Sequence, residues 1–297
     1  MKLSAGERVF EVFNTVFLMC LGAVFLIPVL TVLSTSLISP EEYARRGAFI
    51  LVPQAISFQA YRLLLAQGSI IYNAYLVTIF RTTIGTFLDL AMTSSLAYVL
   101  ARKQLPGRTF LTLFVFLTMI FSGGLIPTFV LVGTLGLLNS VWSLILPGLI
   151  NPWFLLIMRN FFMAIPAELE EAATVDGANP LTIFWKIVLP LSLPSIATIG
   201  LFYAVWHWNS WFDAAIFIRD QDKMPIQVIL RSLLDQSQVF QSQIQDPALA
   251  NADPRAVPPG PVLDAAMIVI STVPILVVYP FIQKYFVKGA LIGSVKG

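Results

Sequence analysis

The amino-acid composition predicts an all-α integral membrane protein, and the pattern of apolar stretches predicts six transmembrane helices. Of the 297 residues, 57% are hydrophobic and only 11% are charged, and the mean hydropathy is +0.82. A soluble domain carries roughly 25% charged residues. A third observation is the polar segment, residues 166–190, which lies between two apolar stretches and holds the densest group of carboxylates. We expect one membrane domain over residues 1–297.

Six segments are long and apolar enough to cross a membrane, which takes about 20 residues as a helix. They are residues 10–37, 72–100, 109–134, 141–163, 192–217 and 263–284. Prolines 28, 127, 147 and 274 lie in or near these segments and predict kinks, which are tolerated where neighbouring helices or a cavity satisfy the freed backbone groups. The first apolar run is longer than that of a signal peptide and has no clear cleavage site, so we expect it to be retained.

The distribution of Lys and Arg predicts which side of the membrane each loop occupies. With the N-terminus inside, the inner segments carry basic residues at a higher density than the two long outer loops, residues 38–71 and 218–262. Both termini and the polar segment are therefore expected in the cytoplasm. In the first outer loop, Ser39 with Glu42 three positions later forms a capping box, which predicts short surface helices. In the second outer loop, the Gln-rich first part could form a short helix, and the remainder reads as irregular chain.

Several kinds of chemistry are absent from the sequence. One cysteine, Cys20, and one histidine, His207, leave no internal disulfide and no Cys- or His-rich metal site. No phosphate-binding GxxxxGK[ST] loop is present, so ATP binding of that kind is not expected. His207 and Asp213 are six positions apart on one predicted helix and are expected on different faces; no elbow-type serine accompanies them. The net charge of +2 does not suggest nucleic acid as a partner. We predict neither catalytic residues nor a metal site.

The polar segment predicts a short helix, a sharp turn and a second helix. Strong helix formers follow Pro166, and Glu168 and Glu171 lie in the opening turns, where the positive end of the helix dipole favours carboxylates. Gly177 can take the left-handed dihedral angles that end a helix. Asn179 is a candidate N-cap and Pro180 suits the first position of the next helix, which we expect to reach residue 190.

The first of these helices is a candidate docking element. Its small side chains, Ala172 and Ala173, allow close approach of another protein, and Glu171 and Asp176 can meet basic groups there. The alternative is an amphipathic helix that lies on the membrane surface. Such helices usually carry Lys and Arg on their polar face, whereas this one is acidic, so the composition favours docking.

The fifth predicted helix contains an unusual run of aromatic and polar residues. Trp206, Asn209 and Asp213 recur at spacings of three and four residues, which predicts a shared helix face. Aromatic rings beside hydrogen-bonding groups suit sugars, whereas the alternative is the aromatic belt at a membrane interface. The candidate pathway residues are Trp206, Trp208, Asn209, Trp211 and Asp213, with Asn151 and Trp153 as weaker candidates.

Two charged residues lie within the second predicted helix, where an unpaired charge is costly. Arg81 and Asp89 are eight positions apart, about 12 Å along a helix, so they cannot pair with each other. We expect each to pair with another helix or subunit, with a gating or substrate role as the alternative.

The polar segment also carries a recognisable motif. Glu171-Ala172-Ala173, then Gly177, then Ile187-x-Leu189-Pro190 match the EAA signature of the membrane subunits of ATP-driven importers of the ABC class. The opening GERVFEVFNTVFL, the closing YPFIQKYFVKGALIGSVKG and Trp208-Asn209-x-Trp211 resemble the carbohydrate subgroup that imports oligosaccharides derived from complex polysaccharides, including uronate-rich ones such as alginate.

The resemblance implies a type I ABC importer fold in a bacterial inner membrane. It implies a second, similar permease, two ATPase subunits that bind ATP and Mg²⁺, and an external solute-binding protein, for which the second outer loop is a candidate contact. Coupling to the ATPase would fall to the helix of the polar segment, with the residues Glu168, Glu171, Ala172, Ala173, Asp176 and Gly177. Three alternatives stay open: a permease for a non-sugar solute, an ATP-independent transporter and a membrane scaffold.

Overall fold

The computed structural model describes residues 5–66, 69–244 and 260–294, and every regular element within these ranges is helical. The all-α prediction is therefore confirmed. The helices are α1 (Ala5–Ser36), α2 (Pro40–Arg46), α3 (Gln59–Leu64), α4 (Ile70–Ala101), α5 (Arg108–Ile120), α6 (Leu125–Thr134), α7 (Pro152–Met163), α8 (Ala167–Val175), α9 (Pro180–Ile183), α10 (Leu189–Leu191), α11 (Leu193–Asn209), α12 (Phe212–Phe217), α13 (Ile226–Ile244) and α14 (Pro261–Ser294).

Three continuous helices and three bent pairs correspond to the six predicted spans. By length and composition, Gly6–Ser36, Ile70–Ala101 and Pro261–Val278 can each cross a membrane. The other three candidates are interrupted: α5 and α6 meet at 113°, Val141–Gly148 meets α7 at 50°, and Pro180–Leu191 meets α11 at 81°. Kinks were predicted near Pro127 and Pro147, and the bends at residues 121–124 and 149–151 lie close to these prolines. The bend at Ser192 was not predicted.

Local chemistry explains the interruptions. Between α5 and α6, Phe121 is extended and Gly124 has a φ of +86°, a conformation that residues with a Cβ resist. In the fourth predicted span, Pro147 lies in a 3₁₀ turn, Leu146–Gly148, and Asn151 is extended ahead of Pro152. The residue before a proline is disfavoured in the helical region, so the chain resumes as a new helix.

The fifth predicted span is also broken near its C-terminal end. Helix α11 ends at Asn209, Ser210 is extended with φ −73° and ψ 128°, and α12 begins at Phe212. Spacing along one helix therefore does not describe residues on both sides of this break. The predicted common face of Trp206, Asn209 and Asp213 was wrong for that reason.

The chain divides into two compact units, one formed by Met1–Ser69 with Leu230–Val273 and the other by Ile70–Ile229 with Pro274–Gly297. A single membrane domain stays a prediction. In the first unit, the short surface helices α2 and α3 appear as predicted. The Ser39 hydroxyl accepts the N–H of Glu42 at 3.2 Å, which confirms the N-cap. Residues 245–259 of the second outer loop lie outside the described residues, and its Gln-rich part belongs to α13.

The Glu42 carboxylate joins α2 to residues 54 and 55 in this first unit. Its side chain is only 4% exposed, and its oxygens accept the N–H of Gln54 at 2.9 Å and of Ala55 at 3.4 Å and pair with Arg46 at 2.7 Å. The N–H of Gln54 is the largest cause that lowers the pKa of Glu42 below its ordinary value. A carboxylate that accepts several hydrogen bonds is stabilised in its charged form.

In the second unit, α4, α7 and α11 pack around a core that extends to the polar segment. The Tyr203 hydroxyl bonds Thr93 at 2.8 Å and accepts the N–H of Asn151 at 3.0 Å, which ties the three helices together. The buried side chains of this core are Ala97, Tyr98, Leu100, Leu155, Met158, Phe162, Ile183, Phe184, Val188, Ile199 and Tyr203.

Candidate functional site

The polar segment folds as its local sequence predicts. Helix α8 ends in a Schellman motif, in which the N–H of Gly177 donates to Thr174 at 3.0 Å and that of Ala178 donates to Ala173 at 2.9 Å. Gly177 has a φ of +82°. The Asn179 side chain accepts the N–H of Thr182 at 2.8 Å, and Pro180 takes the first helical position. The helix, the turn and the N-cap are all confirmed.

The second helix of the polar segment is less regular than predicted. A π-helical turn, Phe184–Val188, separates the α-helical turn Pro180–Ile183 from α10. Pro190 has no N–H to donate to the carbonyl four residues earlier, which accounts for the departure from α-helical bonding. A further bend at Ser192 separates this stretch from α11.

The surface of the polar segment combines carboxylates with apolar side chains. Ala173 is half-buried against the core, whereas the other predicted coupling residues are exposed: Glu168, Glu171, Ala172, Asp176 and Gly177. Beside them, Val175 is 88% exposed and Trp185 is 66% exposed, and Leu169 and Leu181 are also exposed. Sequence reasoning missed this apolar component, although such side chains outside the predicted spans could have indicated it.

A cluster centred on Arg102 attaches the polar segment to α4. The Arg102 guanidinium pairs with Glu170 at 3.0 Å, hydrogen-bonds the Tyr98 hydroxyl and lies 4.7 Å from the centre of the Tyr98 ring. The Tyr98 hydroxyl in turn donates to the carbonyl of Pro180 at 3.4 Å. No local pattern in the sequence indicates this cluster, because Arg102 and Glu170 are 68 residues apart in the chain.

Two charge pairs connect α4 with the fifth span. Arg81 bonds both carboxylate oxygens of Asp213 and the carbonyl of Ser210, the latter at 3.2 Å. His207 Nε2 lies 2.8 Å from an oxygen of Asp89. The expectation that Arg81 and Asp89 pair with another helix is confirmed. The expectation that His207 and Asp213 point to different faces was wrong, because the break at residues 209–212 lets both reach α4.

Gly85 makes the second charge pair possible. A Cβ atom at this position would lie 2.5 Å from His207 Nε2, closer than nonbonded atoms approach. Arg81, Asp89 and His207 are fully buried. The close approach of α4 to α11 therefore depends on a residue without a side chain.

Four of the seven candidate pathway residues meet in one aromatic cleft. The cleft has a volume of about 590 Å³, and its predicted members are Trp153, Trp206, Asn209 and Trp211. The remaining lining residues are Phe154, Phe202, Val205, Ser210 and Phe212. Trp206 packs so closely on Gly148 that a Cβ there would lie 2.9 Å from its ring. Flat aromatic surfaces with a few polar groups suit ligands that present both C–H faces and hydroxyl groups.

The other three candidates lie elsewhere. Trp208 is only 8% exposed and borders a separate apolar cavity of about 560 Å³, with its ring 6.5 Å from that of Tyr75. The Asn151 side chain caps α7 by accepting the N–H groups of Trp153 and Phe154. The carboxylate of Asp213 accepts bonds from Arg81, Ser210 and the N–H of Ala214.

Apolar spans, an exposed polar segment with mixed surface chemistry and an aromatic cleft define a multi-pass membrane permease. The chain belongs to the family of binding-protein-dependent transport system inner membrane components, which matches residues 90–292. It is thus a permease subunit of an ABC importer.

Relatives and a solved structure support this membership over nearly the whole chain. The chain is 46% identical over 291 residues to a Bacillus subtilis (strain 168) polygalacturonan/rhamnogalacturonan transport system permease protein, YtcP, covering 98% of this chain and 99% of the relative. It is 44% identical to Protein LplC of the same organism, covering 100% of this chain and 98% of that one. A crystal structure of a bacterial ABC transporter involved in the import of the acidic polysaccharide alginate contains a chain that matches with a TM-score of 0.83 and 32% identity, over 96% of this chain and 99% of that chain.

Proposed function

We propose that this permease forms half of the translocation pathway for an oligosaccharide rich in uronate units. The relatives that carry this proposal are named for polygalacturonan, rhamnogalacturonan and alginate, all of which contain acidic sugars. The aromatic cleft supports the sugar class, because Trp153, Trp206 and Trp211 offer stacking surfaces beside Asn209. Three indole rings around one cleft favour a sugar, whose C–H faces stack on aromatic rings, over a solute without such faces.

The polar segment is the proposed contact with an ATPase subunit. Its carboxylates, Glu168, Glu171 and Asp176, surround exposed apolar side chains, and a cleft of complementary shape with basic groups would bury both. Gly177 gives the turn behind α8 its shape, and Ala172 allows close approach. In this proposal both termini and the polar segment are cytoplasmic. The other members of the complex are a second permease, two ATPases and an external binding protein.

The transport cycle then follows from differential binding. ATP closure of the ATPase pair and docking of the loaded binding protein each favour one of two permease states, and each contributes only through its differential affinity for them. Motion of α8 would reach α4 through the Glu170–Arg102 pair, because Glu170 lies in α8 and Arg102 immediately follows the last residue of α4.

Charge reversal at Glu171 tests the coupling assignment. The complex, purified with its binding protein and reconstituted in vesicles, is assayed for uptake of oligogalacturonate and for ATP hydrolysis. Glu171→Lys is expected to reduce both stimulated hydrolysis and uptake at least tenfold. Glu11→Lys, a charge reversal on an exposed residue of α1, is the matched control. Normal uptake by Glu171→Lys, or transport without ATP, would refute the proposal.

Removal of a ring from the aromatic cleft tests the pathway assignment. Trp206→Ala is expected to raise the sugar concentration for half-maximal uptake about tenfold, which corresponds to about 1.4 kcal/mol of lost binding, while hydrolysis by the isolated complex continues. Trp142→Ala removes an indole of similar exposure that lies outside the cleft and contacts Phe80. Equal uptake curves for the two variants would exclude a pathway role for Trp206.

A further inference from the structure

Two arginines converge on one backbone oxygen at the end of α4. The Nε atoms of Arg108 and Arg159 donate to the carbonyl of Leu100 at 2.9 Å and 3.1 Å. Leu100 lies in the last turn of α4, where carbonyl groups have no partner within the helix. The two side chains come from different helices, α5 and α7, and together they satisfy this one acceptor.

The two guanidinium groups retain an excess of positive charge. Within the ranges that the structure describes, no carboxylate lies within 4.0 Å of Arg108 or Arg159, and the nearby Glu170 is paired with Arg102. A helix C-terminus offers about half of a negative charge, whereas the two arginines carry two positive charges. Arg108 also makes a weak bond to the sulfur of Met163 at 3.1 Å. The pair therefore retains positive charge that an anion would neutralise.

The surroundings of the arginine pair are apolar and exposed. On the first two turns of α5, Phe110 is 70% exposed and Phe114 is 59% exposed, and Leu111 and Met163 are also exposed. These residues belong to predicted membrane spans, and their exposed apolar side chains have the chemistry of a surface that contacts acyl chains. An anion that binds here with an apolar continuation would satisfy both parts of the surface.

We propose that Arg108 and Arg159 bind the phosphate of an anionic phospholipid, whose acyl chain lies along the exposed face of α5. Arginine presents a planar fork of donors that matches phosphate oxygens, and basic pockets between membrane helices on the cytoplasmic side bind anionic headgroups. The assignment of this lipid to the inner leaflet rests on the orientation given in the proposed function. The binding itself requires neither a particular substrate nor a functioning ATPase.

Lipid retention by the purified complex tests the site. The complex is exchanged into phosphatidylglycerol or phosphatidylcholine, washed with detergent and analysed by native mass spectrometry. We expect tight retention of phosphatidylglycerol alone. Arg108→Gln and Arg159→Gln should each weaken retention about fivefold, and the double variant about 25-fold, because each basic residue near an anionic headgroup contributes on the order of 1 kcal/mol. Arg62→Gln removes an exposed charge from α3, which lies in the first predicted outer loop, and should leave retention unchanged.

A second double variant distinguishes loss of lipid binding from misfolding. Arg108→Lys with Arg159→Lys keeps both charges but loses the forked donors, so this variant should assemble normally and still retain less phosphatidylglycerol than the wild type. Equal retention by wild type and both double variants would overturn the proposal. So would displacement of the lipid by millimolar inorganic phosphate, since the site would then be one for a free anion. A failure of sugar transport would leave these results unaffected.

Discussion

The polar segment and the break in the fifth span are both irregular stretches of helix, but different interactions hold them. In the polar segment, the decisive bonds join neighbours in sequence, such as Asn179 with Thr182 three positions away. At the break, His207 meets Asp89 across 118 residues of chain and Asp213 meets Arg81 across 132. The first region is shaped by local chemistry and the second by tertiary contacts.

This difference separates two kinds of sensitivity to mutation. A locally capped turn loses one modest contact when one residue changes. A buried charge that loses its partner retains the full desolvation penalty. We therefore expect larger losses of stability at the break than in the polar segment.

The largest effect is expected at the Arg81–Asp213 pair. Asp213→Leu leaves Arg81 buried without its carboxylate and should destabilise the protein by on the order of 3 kcal/mol, at the low end of such effects because the Asp213 side chain is 24% exposed. Thermal unfolding of the purified complex measures this loss. The double variant Arg81→Leu/Asp213→Leu removes both charges and should be more stable than the single variant. If single and double variants unfold alike, the pair does not hold the break.

A methyl group at Gly85 should have the next largest effect. Gly85→Ala forces a Cβ against the His207 ring, with ring atoms at 2.5, 2.7 and 2.9 Å, and overpacking of this kind costs about 1–3 kcal/mol. Gly22→Ala is the matched control, since nothing lies within 4 Å of a Cβ there. The ranking of the two variants in thermal unfolding checks the prediction, and equal midpoints would show that α4 and α11 have room to separate.

A smaller effect is expected in the polar segment. Asn179→Ala removes the N-cap of α9 and should cost about 1 kcal/mol, seen as faster hydrogen exchange at Thr182 with little change in global unfolding. Asn179→Asp keeps an oxygen acceptor and should exchange like the wild type. A global loss as large as that of Asp213→Leu would contradict the local character of this region.

Glu42 offers an intermediate case, because its carboxylate binds backbone groups 12 and 13 residues away. Its pKa is lowered in the folded protein, so its stabilisation is complete above the unfolded pKa of about 4.3 and is lost as the pH falls through the folded pKa. Glu42→Gln should therefore unfold earlier than the wild type at neutral pH, and the difference should close in acid. A difference that does not change with pH would exclude the carboxylate as its cause.

The same distinction explains what the sequence alone could predict. Gly177, Asn179 and Pro180 act on their neighbours, so the turn of the polar segment could be read directly. Apolar length predicted the number of candidate spans. The break after Asn209 lies in an otherwise apolar helical pattern and is held by Arg81, which no local signal indicates. Asn151 was predicted as a pathway candidate, whereas its side chain caps α7. The sequence could not distinguish these two roles, because a polar residue ahead of a proline fits both.

Helix α4 meets both regions, and its stiffness has a mechanical consequence. It runs unbroken from Ile70 to Ala101, and near its end Tyr98 contacts Pro180 of the polar segment. Arg81 lies 17 positions earlier, about 25 Å along the axis. A rigid rod of that length, tilted by about 10° about Tyr98, moves its contact with the break by about 4 Å. Because α4 has no internal break, a tilt at one end is transmitted to the Arg81–Asp213 pair without an intervening hinge.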